Sequence, residues 1–175
     1  MIHLEKVSWE NYEKVLKLRV TREQMDFVAS NDYSLIHAFL AVSEGEPVYA
    51  FAIYNDKTIV GFIMMCYDDD WTGYEHEAWL KSDVYKKWEG RKYYNIWRFM
   101  IDKKYQKKGY GKEALRQAIE FLKTRPDGDA KYILLSYEKE NEVAKNLYAS
   151  LGFYEPEEFM PYYEKDDEIS AILEI

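Results

Sequence analysis

The chain has 175 residues and sets 24 Lys+Arg against 32 Asp+Glu, a net charge of −8. That acidity argues against general nucleic-acid binding, which draws on basic surfaces, and it suits solubility and the attraction of cationic small molecules. A single cysteine, Cys66, excludes an internal disulfide or a cysteine-rich zinc site, and no apolar run approaches the ~20 residues that span a bilayer.

This length predicts one α/β domain over residues 1–175, large enough for a real core. Aromatic residues make up 17% of the chain, including 17 tyrosines, which pack a core and still present hydroxyls. The N-terminal "MIHLEKVSWENYEKV" lacks the uninterrupted apolar core of a signal peptide, so a cytoplasmic, reducing location is expected.

In chain order, "IHLEKV" reads as a short strand, followed by Ser8 as the cap of a helix over "WENYEKVLKLRV". Further helices are expected over "REQMDFVA" and "YSLIHAFLAV". Two strands, "VYAFAIY" and "TIVGFIMMCY", flank the turn "NDK" as an antiparallel hairpin, with Cys66 in the buried second strand. The stretch "DDDWTGYEHEAWLKSDVYKKWEGRK" shows no clean period and reads as a long loop with at most a short helix. The strand "YYNIWRFMI" then leads through "DKKYQKKGYG" into the amphipathic helix "KEALRQAIEFLK", whose buried stripe is Ala114, Leu115, Ala118, Ile119 and Leu122. A strand "KYILLSY" follows, then the helix "ENEVAKNLYASLG" closed by Gly152. The closing strand "EISAILEI" either completes the sheet or exchanges across a homodimer. The order is that of a layered α/β domain.

A strand that enters a glycine turn opening a helix suits an anion. The first helical N–H groups lack internal partners, the helix dipole adds positive charge, and glycine removes the bulk that would hold a phosphate away. Here Gly109 and Gly111 open the turn, while Lys107, Lys108 and Lys112 screen negative charge. The P-loop pattern fails, because Gly111–Lys112 is followed by Glu113 rather than Ser or Thr. The dinucleotide pattern is weak: Ala114 stands at the third glycine and no strand-borne acid follows about 20 residues on. The pattern Gln/Arg-x-x-Gly-x-Gly/Ala is matched at every specified position by Gln106 through Gly111. Further on, Asn141, Ala144 and Tyr148 fall at i, i+3 and i+7, one face of one helix.

These two stretches resemble the GNAT superfamily of N-acetyltransferases. The likeness is close over residues 94–153 and looser over the whole chain. "IWRFMID", "YQKKGYGKEAL", "ENEVAKNLYASLGF" and "EQMDFVASNDYSL" look like bacterial spermine/spermidine acetyltransferases. The resemblance implies a mixed sheet with helices on both faces and two splayed central parallel strands. It implies acetyl-CoA as cosubstrate, no metal, and a small-molecule amine, a polyamine first, as acceptor, with no nucleic acid and no membrane as partner. Backbone of Phe99, Met100 and Ile101 would pair with the pantetheine arm. The loop Lys107, Lys108, Gly109, Tyr110, Gly111 and Lys112 would hold the pyrophosphate, and Gln106 would fix that loop. Asn141 would bond the arm, Met100 N–H would stabilise the oxyanion, and Tyr148 would protonate the leaving thiolate.

An acceptor polycation would want acids. Glu23 and Asp26, spaced i, i+3 on the expected second helix, and Asp68, Asp69 and Asp70 are the candidates. The proton acceptor is not assigned, Glu138 being one candidate. His3, His37 and His76 are scattered and form no ligand constellation. Another amine acceptor (an aminoglycoside, a small metabolite or a protein amino group) stays open, as does a non-catalytic sensor of acetyl-CoA or polyamine.

Overall fold

The computed structural model describes residues 1–68, 70, 77–163 and 168–175. The strands β1 (Ile2–Lys6), β2 (Val48–Asn55), β3 (Thr58–Asp68), β4 (Tyr93–Ile101), β5 (Tyr132–Tyr137) and β6 (Ile169–Glu174) form one mixed sheet in the order β1-β2-β3-β4-β5-β6. The β2–β3 hairpin turns at Asp56, whose φ is +53°, with Asn55 paired to Thr58. Parallel pairing joins β4 to β5 at Tyr94–Ile133 and Asn95–Leu134. Antiparallel β6 pairs with β5 along its whole length, so the closing strand completes the sheet within its own chain.

The chain divides into two compact units, Met1–Cys66 with Ile96–Asp127, and Tyr67–Asn95 with Gly128–Ile175. In the first, the pleat of β2 sends alternate side chains to opposite faces. Ala50, Ala52 and Tyr54 pack with Val15, Leu18 and Ala38, the last on helix α2 (Asn31–Ser43). Tyr49 and Phe51 point the other way and meet edge-on the ring of Phe121 on helix α5 (Tyr110–Lys123). Helices therefore cover both faces of β2. The buried residues of α5 are Ala114, Leu115, Ala118, Ile119 and Leu122, the stripe expected from spacing.

The N-terminal helices are shorter than periodicity predicts. Helix α1 spans only Tyr12–Val15, and Ser8 lies a turn before it rather than capping it. Continuing the helix would send the Arg19 N–H to the Val15 carbonyl. Instead that carbonyl accepts the Asn31 side-chain amide at 2.9 Å, and Arg19 N–H donates to the Asp102 carboxylate at 2.9 Å. The expected helix over "REQMDFVA" is one 3₁₀ turn, Arg22–Gln24.

In the second unit, what was expected as a long loop carries two short helices, α3 (Glu77–Leu80) and α4 (Asp83–Trp88), the latter capped by the Ser82 hydroxyl accepting from Tyr85 N–H at 2.9 Å. Their Trp79 and Trp88 bury against Tyr93, Phe159 and Ile172. Helix α6 runs Glu142–Ala149, and Gly152, at φ +94°, turns the chain out of it. Asp69 and His76 lie outside the described residues. Among the described residues no helix is long and apolar enough to cross a membrane.

Candidate active site

The glycine turn is held by its own side chains. Gln106 donates its amide to the Ile101 carbonyl at 2.9 Å and to the Gln24 side-chain oxygen at 2.8 Å, tying the turn to the end of β4 and to the 3₁₀ segment. Asp102 is buried, and its two carboxylate oxygens accept from Arg19 N–H and Lys104 N–H, each at 2.9 Å. Sequence reasoning missed the anchoring roles of Asp102 and Gln24. The available signal was a lone acid placed directly between an aromatic strand and a lysine-rich turn.

Within the turn, Lys107 has φ +60° and Gly109 φ +78°. Residues at left-handed φ are the units from which backbone anion nests are built. Gly109 is the residue before the first turn of α5. Helix geometry leaves Tyr110, Gly111 and Lys112 N–H without an i−4 carbonyl, while Glu113 finds one at Gly109, 3.2 Å away. Lys107, Lys108 and Lys112 are exposed, with the Lys108 ammonium 5.6 Å from the centre of the Tyr105 ring. Tyr110 turns its hydroxyl toward the Asn55 amide, which donates to it at 3.3 Å. The arrangement offers the first N–H groups of a helix, its dipole and three exposed lysines to a polyanion.

Upstream, Met100 is buried in the core with Val15, Leu18 and Ala38, Phe99 is half-buried and Ile101 is buried. The backbone here is tightly approached. A Cβ placed on Gly61 of β3 would lie 2.4 Å from the Met100 carbonyl oxygen and 2.8 Å from Ile101 Cδ1. The Ile101 carbonyl on this strand end is taken by the Gln106 amide.

In the second unit, Asn141 caps α6 instead of lying within it. Its side-chain oxygen accepts from Ala144 N–H at 3.1 Å, so its amide NH₂ is the group left for a ligand. Tyr148 is 9% exposed, its ring packed against those of Tyr137 and Phe153. Burial first, then the negative charge of Glu168, pushes its phenol up to about 12. No hydrogen bond to its hydroxyl is seen among the described residues. A phenol in that state is a proton donor at neutral pH.

The candidate acids do not form the expected pair. Glu23 sits in the 3₁₀ turn and Asp26 beyond it, both exposed, so no shared helix face joins them. Hydrogen bonding from its own backbone N–H and from Thr21 holds the Glu23 carboxyl below its usual range. Asp68 ends β3 and accepts from Asp70 N–H at 2.9 Å. Glu138 follows β5 and its carbonyl accepts Asn141 N–H at 2.8 Å. The His37 ring lies 4.1 Å from that of Tyr33 and 5.7 Å from that of Trp97 between centroids, tilted to both.

A mixed sheet in which β4 and β5 run parallel, and a glycine turn opening a long helix directly after a strand, define an α/β protein whose helix N-terminus suits an anion. The chain belongs to the acetyltransferase (GNAT) family, whose sequence model matches residues 12–153. Two curated relatives are similar over 87% of this chain and 87% of their own. They are the probable spermine N(1)-acetyltransferase of Bacillus subtilis subsp. natto, 29% identical, and the spermine/spermidine N(1)-acetyltransferase of Bacillus subtilis, 28% identical. The fold is similar to that of the PaiA N-acetyltransferase from Thermoplasma acidophilum in complex with coenzyme A (TM-score 0.62, 14% identity, 100% and 99% of the two chains). It is also similar to NAA60 of Arabidopsis thaliana in complex with acetyl-CoA (TM-score 0.63, 13% identity, 100% and 99%).

Proposed function

We propose that this chain transfers the acetyl group of acetyl-CoA to a primary amine of a polyamine such as spermidine or spermine. The observation that carries the proposal is the Gln106-anchored turn, whose unpaired N–H groups and lysines fit a pyrophosphate in a chain of this family. The polyamine acceptor is supported by the names of the two Bacillus relatives and by the net charge of −8.

In this reading Lys107, Lys108, Gly109, Tyr110, Gly111 and Lys112 hold the pyrophosphate. Backbone of Phe99, Met100 and Ile101 accompanies the pantetheine arm as a strand edge would, and the Asn141 amide donates to it. A neutral amine attacks the thioester carbonyl, Met100 N–H bonds the resulting oxyanion, the C–S bond breaks as Tyr148 gives its proton to sulfur, and the proton shed by the acylated nitrogen restores the phenol. An alkyl ammonium with a pKa near ~10.4 is neutral in only about one part in a thousand near pH 7.4, so the acceptor must lose a proton on the enzyme. Glu23, Asp26 and Asp68 supply negative charge toward the rest of a polycation.

Steady-state thiol release from acetyl-CoA, measured against spermine, spermidine, putrescine and an unrelated monoamine, tests this. Turnover with spermine or spermidine well above the monoamine is expected. Turnover confined to other amines would overturn the acceptor, and tight acetyl-CoA binding without any turnover would overturn catalysis.

A further inference from the structure

The acceptor ammonium must lose a proton, and the end of β5 carries a carboxylate placed for that step. Successive residues of a strand point to opposite faces. Tyr137, the last residue of β5, packs its ring 5.7 Å from that of Tyr148. On that face Glu155 is committed to the fold: it accepts from the Tyr137 hydroxyl at 2.5 Å and pairs with the Lys145 ammonium at 3.2 Å. Ser136 points to the other face, where its hydroxyl donates to the Glu168 carboxylate. The pairing of Tyr137 with Ile169 and of Ser136 with Ser170 sets Glu168 on this same face, one residue beyond the ladder, with Glu138 following on from β5. Ser136 and Glu168 are exposed, whereas Tyr148 is buried.

We propose that Glu168 takes the proton of the acceptor ammonium, an assignment that rests on the acetyl transfer proposed for this chain. The carboxylate pairs with the ammonium and accepts one N–H proton. The freed lone pair forms the C–N bond at the thioester carbonyl, and the C–S bond breaks as Tyr148 protonates sulfur. The second proton of the acylated nitrogen restores the phenol, and Glu168 yields its own to water, so each turnover releases one proton. Acid and base stand on opposite faces of one strand end, which keeps the departing sulfur apart from the incoming amine. After burial, the charge of Glu168 is what pushes the Tyr148 phenol up. Protonating Glu168 removes that charge, so the phenol gives up its proton more readily once the amine has lost its own.

Steady-state thiol release with spermidine, followed as a function of pH, tests the assignment. Glu168→Gln still accepts the Ser136 hydroxyl but takes no proton, so kcat/KM for spermidine is expected to fall at least about a hundredfold near neutral pH. What remains must use amine that is already neutral. It is expected to climb about tenfold per pH unit between about pH 7 and about pH 9, where the parent rises less steeply. Acetyl-CoA affinity by calorimetry and the thermal midpoint are expected to hold, since Glu168 is exposed. Should that variant misfold, Glu168→Asp, with its base one methylene short, is expected to lose about tenfold or more while keeping the parent's slope. A kcat/KM within about threefold of the parent in either Glu168 variant, or the steep slope in Glu138→Gln instead, overturns the assignment. A parent that acetylates no amine at all overturns acetyl transfer itself, which tells the two failures apart.

Discussion

Tyr148 keeps its proton because it is buried beside the rings of Tyr137 and Phe153 and faces the charge of Glu168. Two consequences separate chemistry from stability. Tyr148→Phe leaves the packing and removes the proposed proton donor, so kcat for thiol release should fall at least about tenfold while acetyl-CoA affinity changes little. An unchanged kcat in the purified variant removes Tyr148 from the mechanism. In the unfolded chain the phenol ionises near 10.0 and in the fold near about 12. The native state therefore loses stability as pH rises from the first value through the second, on the order of 3 kcal/mol in all. In Tyr148→Phe the slope of unfolding free energy against pH should become shallower by about one proton in that window. The glycine turn ahead of α5 and the place of Tyr148 on α6 were legible in the sequence because each follows from local backbone and helix periodicity. Gln24 was not, since its partner Gln106 is 82 residues away. Nor was the capping bond of Asn141, which moves that residue from a helix face to a helix end.

Strands and long helices follow their sequence patterns closely, because alternation and a 3.6-residue stripe are properties of the element itself. The buried stripe of α5 and the β2–β3 turn were readable for that reason. Helix α1 was misjudged because tertiary bonds from Asn31 and Asp102 take the groups that would extend it. Asp102 thus becomes an element-scale joint. Asp102→Asn offers one acceptor oxygen where Arg19 and Lys104 N–H now use two, and should destabilise the fold by about 1–3 kcal/mol, read as a lower midpoint in urea unfolding. Gly61 is a second joint. Gly61→Ala places a methyl against the Met100 carbonyl and must displace β4, so acetyl-CoA KM and thermal stability should both suffer. Gly109→Ala is the informative comparison: its Cβ meets nothing within 4 Å, but the left-handed φ costs about 1–2 kcal/mol. It should raise KM while displacing no strand. Parent-like KM in both variants would detach the strand end and the turn from cofactor binding.

At the scale of the whole molecule, the charge of −8 acts before any contact is made. A field of that sign draws a polycation toward the protein and does little for a neutral or singly charged amine. Exposed charges are screened over about 10 Å at 0.1 M salt and about 3 Å at 1 M. With spermidine as acceptor, kcat/KM should therefore fall severalfold as ionic strength rises through that range, while kcat at saturation holds, because the bound complex has already formed. The same titration with a monoamine should be nearly flat. The lysines of the 107–112 turn give the opposite sign locally, so acetyl-CoA affinity must be followed in parallel by calorimetry at each salt concentration. Only a loss specific to the polyamine arm, beyond whatever acetyl-CoA loses, reports attraction of the acceptor. Equal salt slopes for both amines would mean that the acidic surface serves solubility alone, and that Glu23, Asp26 and Asp68 play no part in choosing the acceptor.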